Sequence, residues 1–208
     1  TTLTAHAHEG RVYCIAAEGD LVASAATDGK TIVTSVSDCG TTHVPVWHAE
    51  GLHVHPWHLA LHERTLVVDS VIIQVPRDSR DKMSEDVLPW ATSLCAWCED
   101  GSLVFSTGAV LNRRAPDGTL SDFRKALTHS PSALAVGGGM LVTTEGFQGR
   151  QICIFRLSSG ALVRRLPGHA RTIYALAAEA GRVVSGADDN MVRVWSLEHD
   201  APLCNIDT

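Results

Sequence analysis

The sequence predicts an all-β chain: a β-propeller of four-stranded antiparallel blades, about five of them in 208 residues. Three observations carry this expectation. The first is an internal repeat. HEGRVYCIAAEGDLVASAATDGKTIVTSV begins at His8, and HARTIYALAAEAGRVVSGADDNMVRVWSL begins at His169, with no insertion between the two alignments. The identical pairs are His8/His169, Tyr13/Tyr174, Ala16/Ala177, Ala17/Ala178, Glu18/Glu179, Val22/Val183, Ser24/Ser185, Ala26/Ala187, Asp28/Asp189, Val33/Val194 and Ser35/Ser196. The second is the offset, 161 residues from His8 to His169. It is close to four times the roughly 40 residues of a four-stranded blade, which leaves room for three more worn copies. The third is local pattern. Apolar tracts of strand length are bounded by Gly, Asp and Asn, and no segment sustains a helical period.

Taken in order, the first copy gives strands at Val12 to Ala16, Val22 to Ser24 and Thr31 to Val36, with a weaker fourth at Thr42 to Trp47. From Trp57, WHLALHERTLVVDSVIIQV gives three short strands. RDSRDKMSEDV, Arg77 to Val87, is charged and without aromatics, and it predicts a long loop in place of a regular outer strand. From Ser93, SLCAWCEDGSLVFSTGAVLNRR gives three strands around Asp100-Gly101, and Thr119 to Arg124 gives a fourth. From Ser132, SALAVGGGMLVTTEGFQGRQICIFRL repeats the grammar, with Phe155 where the last copy has Trp195, and Ser159 to Leu166 is its outer strand. The last copy runs through Ile173 to Ala177, Val183 to Ser185 and Met191 to Leu197, with Pro202 to Ile206 last. The expected blades are 6–47, 48–87, 88–128, 129–166 and 167–208, in one domain spanning 1–208.

LPGHARTIYALAAEAGRVVSGADDNMVRVWSL resembles a WD-repeat (WD40) β-propeller unit. Gly168-His169 precedes the first strand, Ser185-Gly186 closes the second, Asp189 lies in the turn and Trp195 in the third. The first copy keeps His8, Ser24 and Asp28 but has Thr34 in place of Trp. The resemblance implies a structural hydrogen-bond network of His169, Ser185, Asp189 and Trp195, and of His8, Ser24 and Asp28. An aspartate buried in a turn needs donors, and these side chains supply them. It also implies that partner contacts gather on the face bearing Arg11, Tyr13, Thr27, Arg171, Tyr174 and Asp188, with Trp97 added. Family propellers most often have seven blades. The chain therefore reads either as a small five-bladed ring or as part of a longer propeller.

Composition narrows the function classes. The net charge of -6 argues against nonspecific nucleic-acid binding and against an anionic membrane surface. No apolar run reaches the ~18 residues of a spanning helix and no secretory signal is visible, so the expected location is intracellular, cytoplasmic or nuclear. The six cysteines read as reduced, small apolar residues. His43, His48, His53, His55, His58 and His62 crowd one stretch, which invites a metal, but no spacing matches a zinc pattern. His48 is expected at the repeat's usual His position. Cys95 and Cys98 are three apart on a predicted strand, so their sulfurs point to opposite faces. Gly137-Gly138-Gly139 precedes no helix and reads as a tight turn rather than a phosphate cradle. The predicted first strands from Val12, Leu94, Ala133 and Ile173 carry no paired carboxylates of the glycosidase kind. The expectation is a noncatalytic scaffold without metal or cofactor, binding other proteins in a multisubunit assembly. Two alternatives stand beside it: a subunit of an RNA–protein complex, and a metalloenzyme using the His43–His62 cluster.

Overall fold

A computed structural model describes residues 8–35, 47–50, 58–68, 71–75, 85–88, 93–179, 181–196 and 202–207. Over these residues the fold is all-β apart from one short 3-10 turn at Phe147–Gly149. It is a β-propeller fold of four-stranded antiparallel blades, each an up-and-down meander. The chain divides into two compact units, Thr1–Ala91 and Thr92–Thr208.

The first unit holds two sheets. One is β1 (Val12–Glu18), β2 (Leu21–Ala26), β3 (Lys30–Ser35) and β4 (Trp47–Glu50); the other is β5 (Leu59–His62), β6 (Thr65–Val68), β7 (Val71–Gln74) and β8 (Glu85–Val87). Leu21, Ala23, Ala25 and Val33 of the first pack against Leu59, Leu66, Val68 and Ile73 of the second. Alternation sets this up: every second residue of β2 faces the neighbouring blade. Two outer strands differ from expectation. β4 starts at Trp47, where the expected strand ends, and it places His48 opposite Ile32 rather than at the position of His8. The segment expected to be a loop contributes β8, paired with β7 through Val71↔Val87 and Ile73↔Glu85. An edge strand has one wet side and needs little apolar pattern, so EDV forms one without a hydrophobic signature.

The second unit holds three sheets. They are β9 (Leu94–Trp97) to β12 (Leu120–Ala126), with β10 (Leu103–Thr107) and β11 (Val110–Arg114) between; β13 (Leu134–Gly137), β14 (Met140–Glu145), β15 (Gln151–Arg156) and β16 (Leu162–Pro167); and β17 (Ile173–Glu179), β18 (Arg182–Ala187), β19 (Met191–Ser196) and β20 (Pro202–Asp207). One apolar layer joins Val104 and Leu111 to Leu141, Cys153 and Phe155. The next joins Val142, Ile152 and Ile154 to Ile173, Val183 and Trp195. Gly138 and Gly139, with φ of 56° and 72°, close the β13–β14 hairpin. Two consecutive positive φ values suit the right-handed strand twist, and glycine adopts them without strain. Gly137 serves a different need. A Cβ there would lie 2.1 Å from the Ala178 carbonyl oxygen on β17, so only glycine allows the two first strands to approach so closely.

Among the described residues, no helix is long and apolar enough to cross a membrane, and no group of three or more His, Cys, Asp or Glu could hold a metal ion.

Candidate functional site

The repeat residues assemble within their own sheets. In the last, His169 sits ahead of β17, Ser185 on β18, Asp189 in the following turn and Trp195 on β19. Trp195 Nε1–H donates to Ser185 Oγ at 2.8 Å. Ser185 Oγ lies 2.7 Å from His169 Nε2. His169 Nδ1 lies 2.9 and 3.0 Å from the two Asp189 oxygens. One tautomer satisfies every atom: His169 carries its proton on Nδ1 and donates it to Asp189, and Nε2 accepts the serine hydroxyl. The Ala170 amide donates to Asp189 Oδ2 at 2.8 Å and the Met191 amide to Oδ1 at 3.3 Å. Burial pushes the Asp189 carboxyl up. The Ala170 amide, the His169 imidazole and the Arg193 charge outweigh it and hold the group below its ordinary range.

The first sheet repeats this with one member fewer. His8 Nε2 lies 2.8 Å from Ser24 Oγ, and His8 Nδ1 lies 3.3 and 3.2 Å from the Asp28 oxygens. The Lys30 and Glu9 amides donate to Asp28 at 3.0 and 2.8 Å. Burial raises the Asp28 carboxyl, but these amides and His8 bring it below the usual value. Thr34 supplies no indole N–H.

A serine, a histidine and an aspartate at these distances form the relay of a nucleophilic hydrolase. Access decides against that chemistry in the last sheet. Ser185 and the His169 side chain are 0% exposed, and the serine oxygen already accepts the Trp195 N–H. No acyl carbon could reach it.

The residues expected on a partner face gather at one end of each terminal repeat. The Thr27 amide donates to the Arg11 carbonyl at 3.0 Å, and the Arg11 amide to Thr27 Oγ1 at 2.8 Å. The Asp188 amide donates to the Thr172 carbonyl at 2.9 Å, and Arg171 reaches Asp188 at 3.5 Å, both side chains well exposed. The strand pairing skips one residue in each: Val12 pairs with Ala26 and Cys14 with Ala25, and Ile173 pairs with Ala187 and Ala175 with Gly186. The skipped residues are Tyr13 and Tyr174, each on a β-bulge, a device that re-aims a side chain out of the ladder. Tyr174 is 64% exposed. The bulges are invisible in the sequence, where both copies read as regular strands. Trp97 does not join either group, for it is the last residue of β9, at the other end of its strand.

Two polar clusters escaped the sequence reading. Glu145, at the end of β14, is buried; it accepts from Cys153 Sγ at 2.9 Å, from Arg165 Nη2 at 3.2 Å and from the Thr128 amide at 3.2 Å. Burial raises its carboxyl, and the thiol, amide and guanidinium reverse that, leaving it below its ordinary value. Burial and then Glu145 push the Cys153 thiol up to about 12, so it is a donor and not a nucleophile. In the sheet before, Arg113 pairs with Asp100, donates to Ser102 Oγ at 2.8 Å and donates to the Leu157 carbonyl at 3.3 Å. It forms one wall of a cleft of about 400 Å³. Glu145 is buried and Arg165 half-exposed, and only the register of β14, β15 and β16 brings them together, which a single sequence does not show.

Cys95 and Cys98 are both buried, and neither is in a disulfide. Of the histidine cluster, His43, His53 and His55 lie outside the described residues, as does Cys39. His62, at the end of β5, bonds Glu18 Oε1 at 2.9 Å, and burial lowers His58.

The profile of the family described as "WD domain, G-beta repeat" matches residues 1–44 and 160–196. "WD repeat-containing protein 54" of Mus musculus is 36% identical over 61 residues, which are 28% of this chain and 18% of that protein. "WD repeat domain 54" of Rattus norvegicus is 34% identical over a segment of the same length, again 18% of its own. The match thus spans less than a fifth of these curated relatives. Two solved structures share the fold. A chain of "Crystal Structure of Mitotic Checkpoint Complex" gives a TM-score of 0.75 at 16% identity, over 96% of this chain and 65% of that one. "Structure of U3-55K" gives 0.77 at 17%, over 97% and 66%. The terminal repeats, which carry the blade network, thus match the WD-repeat family profile, and the four-stranded blades throughout the described residues share the fold of solved β-propellers.

Proposed function

We propose that this chain is a noncatalytic interaction scaffold, a subunit of a multiprotein assembly that binds other proteins through the bulge-bearing strand ends. The carrying observation is the pair of tyrosine bulges. Strand ladders dictate side-chain direction by parity, and a bulge breaks parity only where an extra residue is inserted. Both bulges carry tyrosine, a residue that brings large contact area at low entropy cost and is enriched among interface anchors. Around Tyr174 stand Arg171 and Asp188, an exposed and weakly coupled pair that a partner can re-pair. Around Tyr13 stand Arg11 and Thr27. Trp97 is not included, because it sits at the other strand end. The buried His–Ser–Asp groups support the scaffold reading, since the only such trios among the described residues are spent on holding blades together. One of the structural neighbours is itself a component of a complex, which fits a subunit role without naming a partner.

Affinity purification of the native protein, with quantitative mass spectrometry, tests this. Wild type is expected to hold a fixed-stoichiometry partner set that a Tyr13→Ala/Arg171→Ala/Tyr174→Ala variant loses at unchanged thermal stability. Recovery of the protein alone, or of the same partners with the variant, would overturn the reading.

A further inference from the structure

Within the second unit, the cleft of about 400 Å³ lies between the β9–β12 and β13–β16 sheets, at the end that carries the β9–β10, β13–β14 and β15–β16 turns. Arg113 ties its two walls together. Held by Asp100 and by Ser102 Oγ at 2.8 Å, it donates across to the Leu157 carbonyl at 3.3 Å. The Leu157 amide donates to the Gly139 carbonyl at 3.0 Å, which fixes the β15–β16 turn on the β13–β14 hairpin. The cleft is therefore formed before anything enters it. Its floor is apolar: Cys98 and Leu157 are buried, and Val136 and Met140 are half-buried. Gly138 and Gly139 line it with bare backbone. A Cβ at Gly139 would meet nothing within 4 Å, so the space above the hairpin is open. Of the charged residues that line the cleft, Asp100 and Arg113 neutralise one another. Glu99 on one wall and Arg156 on the other are exposed, and among the described residues neither side chain makes an ion pair or a hydrogen bond.

We propose that this cleft binds an extended peptide segment of a partner protein, with an aliphatic side chain on the apolar floor, a basic residue against Glu99 and an acidic residue against Arg156. Charge complementarity carries the assignment. The two unpaired charges are opposite in sign and stand on opposite walls, so they set which end of the segment faces which sheet. Such pairs fix register and exclude wrong partners more than they add affinity, which leaves the aliphatic anchor to supply most of the binding. The volume lies at the small end of the range for ligand sites, as one anchoring side chain requires. A nucleic acid is the poorer fit, because its phosphates would face the carboxylates of Glu99 and Asp100. The cleft is remote from the bulge-bearing strand end. Gly137, next to the glycine turn, lies against Ala178, at the far end of β17 from Tyr174. The inference therefore does not rest on the tyrosines.

A phage-displayed library of random twelve-residue peptides, panned on the purified full chain, tests this. The expected result is one consensus in which an aliphatic residue stands between a basic and an acidic one. A synthetic peptide of that consensus is then titrated by fluorescence polarisation. Arg156→Glu is expected to weaken it at least about tenfold, because two like charges then meet. Replacing the acidic residue of the peptide by lysine is expected to restore binding to the Arg156→Glu chain, to within about threefold of the original pair. Glu99→Lys, paired with a peptide whose basic residue is replaced by glutamate, repeats the test from the other wall. Both variants should keep Tm within about 2 °C of wild type, as exposed positions without side-chain partners do. Absence of such a consensus, a loss below tenfold in both variants, or failure of both charge-reversed peptides to rescue would overturn the proposal. Displacement of the peptide by a twelve-nucleotide oligothymidylate would overturn it in favour of a nucleic-acid ligand. Tyr174→Ala is expected to leave the peptide's affinity within about twofold of wild type, so failure of the strand-end reading and failure of this one are distinguishable.

Discussion

Removing one oxygen from the last blade isolates the value of its network. Ser185→Ala deletes Oγ, which accepts from Trp195 Nε1 at 2.8 Å and donates to His169 Nε2 at 2.7 Å. Trp195 and Ser185 are 0% exposed, so water cannot replace the lost partner without opening the blade. A buried polar group left unsatisfied costs about 1–3 kcal/mol, and here two are left, so the loss should be about 2–5 kcal/mol. For a chain of this length that is a fall in Tm on the order of 5–15 °C. Ser24→Ala is the internal control. Ser24 serves His8 at 2.8 Å, and Thr34 stands where the indole would be. One group is orphaned instead of two, and the cost should be about 1–3 kcal/mol. Urea titrations of the two variants, compared at their midpoints, give the answer. Ser185→Ala within about 0.5 kcal/mol of wild type, or Ser24→Ala more damaging than Ser185→Ala, would refute the argument that the trio is a structural relay.

Further outcomes follow from the same geometry. Asp28 and Asp189 titrate below the unfolded-chain value of about 4, held there chiefly by backbone amides against burial. The stability they give is therefore complete above that value and is lost as pH falls through their lower folded-state values. Urea midpoints should drop below about pH 4, and Asp189→Asn should lower the neutral midpoint while flattening the acid slope. Gly137→Ala should cost at least 3 kcal/mol or so, since its Cβ would strike the Ala178 carbonyl. Gly139→Ala, with open space around it but φ of 72°, should cost only about 1–2 kcal/mol; circular-dichroism melts distinguish the two. Trp195→Phe keeps an aromatic ring but removes the N–H, and should cost about 1–3 kcal/mol. Phe155 pairs with Leu141 as Trp195 pairs with Val183, so that register accepts phenylalanine.

The blades were legible where burial leaves a pattern. β2, β3, β18 and β19 are central strands, and their apolar tracts and Asp or Gly turns placed them within two or three residues. The outer strands were less legible, and for one reason. β4 and β8 need only backbone pairing on one side, so Trp47–Glu50 and Glu85–Val87 satisfy the ladder with residues that read as loop. The network residues could be named from the paired motifs because each supplies a donor or acceptor that the turn aspartate demands. The bulges could not. Tyr13 and Tyr174 occupy alternation-compatible positions, and the extra residue shows only in the pairing of their neighbours. Glu145 was hidden for a third reason: its partners Cys153 and Arg165 come from two other strands, and only the sheet register brings them within reach.

One end of a terminal blade's first strand therefore does two kinds of work. Behind the tyrosine, polar atoms turn inward and are consumed: the histidine, serine and aspartate are satisfied by one another and by amides, and Trp195 seals them from water. At the bulge of the last blade, Tyr174 escapes the ladder and its ring enters solvent. The same substitution logic separates the roles. Ser185→Ala should change stability, and any loss of binding should follow from unfolding. Tyr174→Ala removes a ring that is 64% exposed, so its stability effect should stay within about 0.5 kcal/mol. A stability loss at Tyr174 as large as that at Ser185 would show that the bulge is a packing element of the blade, and the strand end would then lose its claim as a contact surface.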